Sequence, residues 1–374
     1  MKYHLIFLIG LIYLFSNLTN AKCIVKSRRN DHAKYIKDTT LEIKIDDVHD
    51  IEDITQEVET DYVIDNEDIT EEVETDYSEE NEISYRFADV EEAANLILSN
   101  QAYYENMNQN DIDYRLQRVN GTVEELKQYA TEQVLSFTEE DKKSIDEAIK
   151  YIKKISRKRG YTLPSANNIV FVKTTMHEEN GSYAYTHGTQ IYLGEVVLEF
   201  ADEDNDFRHI IAHELFHCLT RNNPDFRKDM YELLGFTVME KDVEFPKETA
   251  DLIISNPDVE HHNSYATIEI NGEKRDCVAV FEFTKPFEEP GDSFFYNNIK
   301  GFVPLNDLYT VYRPEDVTNF LGVYGKELED LENLGIIDDP EEVMAERFGM
   351  LMVHGIEDGD IQDKIDAYLK SYQP

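Results

Sequence analysis

Two histidines four residues apart sit inside an apolar run, DFRHIIAHELFHCLT (206–220), and this stretch constrains the fold more than any other. On an α-helix, residues i and i+4 stand one above the other, about 6 Å apart along the axis. His213 and His217 would therefore share a face. Their uncharged neighbours Ile210, Ile211, Ala212, Leu215, Phe216, Cys218 and Leu219 fall all round the helix, which predicts a helix buried in a core. With 374 residues, 41% of them hydrophobic, the chain can build that core within two or three domain-sized units.

The remaining pattern is mixed. Helical spacing runs through FADVEEAANLILSN, TVEELKQYATEQVL and EEDKKSIDEAIKYIKKIS, the last ending near Gly160. It returns in DFRKDMYELLG (225–235), EEVMAERFGMLMV (341–353) and DIQDKIDAYLKSY. NIVFVKTT (168–175) and TQIYLG (189–194) are rich in β-branched and aromatic residues and read as strands. Two strand-like runs in 264–283 flank Asn271-Gly272, a pair that favours a two-residue hairpin. The expected class is α+β, with helices dominant.

The front of the chain reads differently. Residues 1–21 have Lys2, an apolar stretch from Leu5 to Phe15 and small residues at Thr19 and Ala21, the layout of a signal peptide cleaved after Ala21. That predicts a secreted or periplasmic protein. Residues 22–84 form an acidic segment, in which 42–82 hold 19 acidic side chains against the single Lys44. A period of fifteen repeats EDITQEVETDY, from Glu52, as EDITEEVETDY, from Glu67. Two copies without an apolar face predict a disordered, solvated spacer; a cation-binding tract and a removable pro-segment are the alternatives. The folded domain is expected over 85–374.

The net charge of −42 excludes a general electrostatic partnership with nucleic acid. No run of 18 apolar residues is present, so no stable membrane anchor is expected. Three cysteines exclude a disulfide-dense scaffold. Cys218 and Cys277 either pair, leaving Cys23 over, or remain buried thiols.

The helical histidine pair can converge on one ion at zinc–nitrogen distances of about 2.0–2.1 Å. Glu214 lies beside that face, placed to take a proton from a zinc-bound water whose pKa the metal lowers to about 7. The sequence His213-Glu214-Leu215-Phe216-His217, with a strand just upstream, resembles the zincin metallopeptidases. That resemblance implies a mixed sheet, an active-site helix and an edge strand that binds substrate backbone by β-augmentation, a role for which YTHGTQIYLG (185–194) is well positioned. The metzincin branch needs a glycine at 220 and a histidine at 223, where Thr220 and Asn223 stand, and the aspzincin GTxD pattern is missing.

The likeness is therefore to gluzincins, whose third ligand is a glutamate on a later helix in the pattern E-x-x-x-D or similar. Glu342-Val343-Met344-Ala345-Glu346 follows it with Glu in the last place. The resemblance implies Glu342 as third zinc ligand and Glu346 as the partner that fixes the tautomer of a zinc histidine. Glu346, Glu232, Glu240 and Glu248 are the alternative ligands. The separation of 125 positions from His217 to Glu342 exceeds the spacing in thermolysin-like enzymes and implies an inserted lobe holding the β-hairpin.

Gluzincins stabilise the oxyanion with a His or Tyr. His261, His262 and Tyr265, in NPDVEHHNSYAT (256–267), are the candidates, with a plain polar loop as the alternative. His209 reads as a neighbour of the site or a surface residue rather than a fourth ligand, and His187 as exposed. The functional expectation is a secreted zinc peptidase acting on peptide or protein substrates, an endopeptidase because no amine-binding motif is evident. Two other classes compete. One is a zincin-fold binding module without turnover, against which Glu214 argues because metal binding alone does not need it. The other is an acidic cation-binding secreted protein acting through residues 42–82.

Overall fold

The computed structural model of the chain describes residues 83–201, 205–319, 339–355 and 360–374. Its first elements are β1 (Ile83–Phe87), α1 (Val90–Ser99), α2 (Gln101–Asn106), α3 (Gln109–Leu116), α4 (Val123–Glu132), β2 (Val134–Leu135) and α5 (Glu139–Arg159). Next come β3 (Ala166–Thr174), β4 (Ala184–His187), β5 (Gln190–Gly194), α6 (Glu195–Glu199), α7 (Asn205–Asn222) and α8 (Pro224–Leu233). The rest is β6 (Phe236–Val238), α9 (Lys247–Ala250), β7 (Ser264–Ile270), β8 (Glu273–Phe283), β9 (Asn298–Pro304), β10 (Val317–Asn319), α10 (Pro340–Val353) and α11 (Asp360–Ser371). The class is α+β. The signal-peptide reading of 1–21, Cys23 and the acidic repeat lie outside the described residues, although Ile83 and Ser84, assigned to the acidic segment, begin β1.

Local chemistry sets the helix ends. Thr122 and Thr138 each accept from the backbone of the third helical residue, Glu125 and Asp141, whose carboxylates return the bond to the cap. Gly160 closes α5 in the left-handed region at φ 71°, where a β-carbon would be strained.

The first sheet is mixed, in the order β1-β3-β5-β4, with β2 also on β3. β1 and β5 flank β3 in parallel, and β4 returns antiparallel along β5 as the edge. The expected strand at 185–194 is thus a hairpin of two strands, turned at Gly188-Thr189, whose first arm is the edge. Side chains on β3 alternate between two cores. Ile169 and Phe171 join the main core with α5, α7 and α10, while Val170 and Val172 pack with Ala93, Ile97, Leu126 and Ala130 from α1 and α4. A sheet covered on both faces suits parallel strands.

The second sheet runs β10-β7-β8-β9, with β6 beside β7, and all its pairings are antiparallel. Its tight turn is the expected Asn271-Gly272, at φ 51° and 83°. Ala266, Ile268, Ile270, Cys277, Ala279 and Phe302 turn one face of this sheet into the main core. Cys218 and Cys277 are both free and buried.

Candidate metal centre

α7 is buried on nearly every side, from Phe207 through Thr220. Its polar face is satisfied by α10, which lies against it. The approach is close because Gly349 presents no side chain to His209. The two histidines meet as i and i+4 require, with ring centroids 4.9 Å apart. From α10, Glu342 Oε2 stands 3.4 Å from His213 Nε2. Ligands held at about 2.0–2.1 Å on a tetrahedron stand about 3.3–3.4 Å apart, so this pair has the spacing of two neighbouring ligands. One donor atom from each of His213, His217 and Glu342 lies within 4.8 Å of the others.

The tautomer of His217 follows from its other contact. Its Nδ1 lies 3.2 Å from Glu341 Oε1. Burial opposes the Glu341 charge, but His217, Arg221 and Arg227 together hold this carboxyl far below its ordinary range. An ionised carboxylate only accepts, so Nδ1 carries the hydrogen, and in the neutral ring Nε2 keeps its lone pair. That Nε2 is fully buried and has no hydrogen-bond partner among the described residues. A buried lone pair aimed at a His–Glu cluster fits a metal ligand. Tyr231 and Thr220 also donate to Glu341, completing its cradle.

Glu346 sits one turn beyond Glu342. Its Oε2 accepts from His209 Nε2 at 2.8 Å and stands 3.6 Å from His213 Nδ1. Burial favours a neutral His213, yet Glu342, Glu346 and Glu214 raise its pKa well above the ordinary histidine value. Burial likewise resists the charge of Glu342, and His213 holds its carboxyl lowered. Glu214 is 4% exposed, and its Oε2 accepts from the Thr186 hydroxyl of β4 at 2.7 Å.

The segment after α9 also reaches the site. Asn256 Nδ2 donates to Glu342 Oε1 at 2.8 Å, and Asp258 Oδ1 lies 3.8 Å from His217 Nε2. Asp258 groups with Glu214 and His217 as a second set of donors. Burial, with Glu214 and Glu342 close by, pushes its carboxyl well above the usual range.

His213, Glu214, His217, Glu342 and Glu346 thus come together. Glu232, Glu240 and Glu248 belong to no donor group among the described residues. His262 is buried against Phe245, which pushes its pKa down to about 4, and Tyr265 packs on the outer face of the second sheet with Val278 and Val280. His261 meets Asp242 at 3.0 Å. Among the described residues, none of these three shares a hydrogen bond, ion pair or ring contact with the ligand cluster. His187 is not exposed as expected: it ends β4 buried among Tyr103, Tyr185 and Tyr192, because β4 is covered by α2 and the tyrosines rather than by solvent.

Sequence reasoning missed Glu341, Asp258, Asn256 and Thr186. Only Glu341 left a trace, as the neighbour of Glu342 in Pro340-Glu341-Glu342. No protein-family model, curated protein or solved structure matches this chain.

Proposed function

We propose that this chain is a secreted or periplasmic zinc peptidase of the gluzincin kind, cleaving internal peptide bonds, with His213, His217 and Glu342 as ligands and Glu214 as general base. The observation that carries the reading is the convergence of the α7 histidine pair with Glu342 of α10 around the unpartnered Nε2 of His217. Bound there, zinc would polarise a peptide carbonyl and lower the pKa of a water to about 7. Glu214 then accepts the water's proton on one carboxylate oxygen while the Thr186 hydroxyl orients the other, and passes that proton to the departing amine. Glu341 keeps His217 in the tautomer that leaves Nε2 available.

The zincin comparison draws support from the antiparallel edge strand β4 beside α7, and from a second sheet that falls between the two ligand-bearing helices in the chain. The competing reading is a closed, non-catalytic metal site, and the observation that favours it is Asp258 standing near His217. Elemental analysis tests the ligand set. One zinc per wild-type chain is expected, lost in His213→Ala, His217→Ala and Glu342→Ala. Full occupancy in Glu342→Ala would move the third ligand to Glu346.

A further inference from the structure

Two things a peptide would need at this centre are an open coordination position and a free strand edge, and one short loop, Asn256 to Glu260, approaches His217 Nε2 and holds the edge of β4. On β4, Tyr185 and His187 pair with Tyr192 and Gln190 of β5, and the Thr186 N–H is directed outward. It does not face solvent. It donates to Asp258 Oδ1 at 2.6 Å, and the Gly188 N–H donates to the Glu260 carboxylate. Arg221 of α7 fastens both partners, donating to the Gly188 carbonyl at 3.2 Å and to the Asp258 carbonyl at 2.8 Å. The same Asp258 Oδ1 is 3.8 Å from His217 Nε2, the buried atom that has no partner among the described residues.

From this geometry, and resting on the zinc reading above, we infer that the structure is the latent form of the site: Asp258 serves as a displaceable fourth ligand, and the Asn256–Glu260 loop fills the place of a substrate backbone on β4. Four protein ligands close a zinc site and three leave it open to water or substrate. A strand edge already hydrogen-bonded cannot accept a peptide by β-augmentation. One aspartate therefore controls both conditions.

The rest of the segment is built to stay. Ser255, just before the loop, donates its N–H and hydroxyl to Asp111 of α3 at 2.9 and 2.8 Å, and its carbonyl accepts from the buried Arg115 at 2.7 Å. Beyond the loop, the Asn263 side chain accepts from Arg227 at 2.9 Å, and its carbonyl accepts from the Met239 N–H at 2.6 Å. With both ends fixed, opening needs the short loop to release its bonds to β4, Arg221 and Glu342, not movement of a domain.

The test uses the full chain loaded with cobalt, whose visible absorption reports ligand number, and acetohydroxamate as a probe of an exchangeable position. Two variants separate the functions of Asp258. Asp258→Asn keeps an acceptor for the Thr186 N–H but removes the anionic ligand, and Asp258→Ala removes both; thermal melts confirm that each folds. If the open form is a minor state of the wild type, at or below about 10%, apparent probe affinity is reduced by that fraction. Both variants should therefore bind acetohydroxamate at least about tenfold more tightly than wild type, with a cobalt spectrum already shifted before the probe is added. Only Asp258→Ala, with the Thr186 N–H of the edge also freed, should gain as much in casein hydrolysis.

Equal probe affinity and unchanged spectra across the three proteins, with cobalt bound in each, would overturn the latent form and leave the metal reading standing. Failure of the wild type to take up cobalt or zinc would overturn the metal reading, and the inference with it.

Discussion

Gly349 on α10 faces His209 on α7 so closely that a β-carbon there would lie 3.1 Å from the imidazole Cε1 and Nε2 and 3.2 Å from the His209 carbonyl oxygen. The imidazole can turn aside, but the backbone oxygen cannot. This contact sets the distance between the helices, and with it the reach of Glu342 and Glu346 toward His213. In Gly349→Ala, better helix propensity contributes about 0.5–1 kcal/mol and overpacking costs about 1–3 kcal/mol, so stability should fall by about 0–2.5 kcal/mol. Only the overpacking acts on ligand spacing. Zinc affinity, measured by competition with a chromophoric chelator, should fall about tenfold, equivalent to 1.4 kcal/mol. Unchanged affinity would mean that the helix spacing does not set the site.

Glu341 is expected to matter without touching the metal. Glu341→Gln keeps the shape between His217, Thr220 and Tyr231 but removes the charge that fixes the histidine tautomer. Loss of such a supporting partner typically costs about 10–100-fold in metal affinity. The same competition titration reads it, and the near-ultraviolet spectrum should stay native.

Much of this was legible in the sequence. The histidine pair, the α5 and α10 periodicities and the Asn271-Gly272 turn are local signals, each set by residues within a few positions of one another. Glu342 was singled out only by the resemblance to the gluzincin pattern, since Glu341 and Glu342 look alike in the chain and differ in which face of α10 meets α7. Asp258 and Thr186 were invisible, because their role comes from a loop meeting a strand 72 residues away in sequence. α3 escaped as well. Its polar residues Asp111, Asp113 and Arg115 are all buried, with Arg115 paired to Asp111 at 3.1 Å and Glu179 at 2.7 Å.

The pH dependence of stability should carry the mark of Glu178, in the short turn His177–Glu179. Burial pushes its carboxyl from 4.5 up to about 7, while Oε1 accepts from the Tyr185 hydroxyl at 3.1 Å. Because the folded pKa lies above the unfolded one, the native state binds the extra proton. The stabilisation is fully present below about pH 4.5 and is lost as pH rises through 7. Glu178→Gln keeps the shape without the titration. Its stability relative to wild type should rise between pH 5 and pH 8 by on the order of 2 kcal/mol, read from urea unfolding at each pH. A constant difference across that range would place the titration elsewhere.

The central claim is that Glu214 moves a proton and does not hold the metal, and Glu214→Gln separates the two. The amide preserves the shape and can still accept from the Thr186 hydroxyl, so the cluster around His217 should be undisturbed. It cannot take a proton, and general acid–base assistance is worth about 10²–10⁴-fold. The measurement is casein hydrolysis beside zinc content, for the wild type and Glu214→Gln, each also in the Asp258→Ala background so that latency does not mask turnover. The account predicts full zinc in every protein, and turnover in Asp258→Ala that falls by about 10²-fold or more when Glu214→Gln is added. Near-equal turnover with and without Glu214→Gln, or loss of zinc on that substitution, would contradict it.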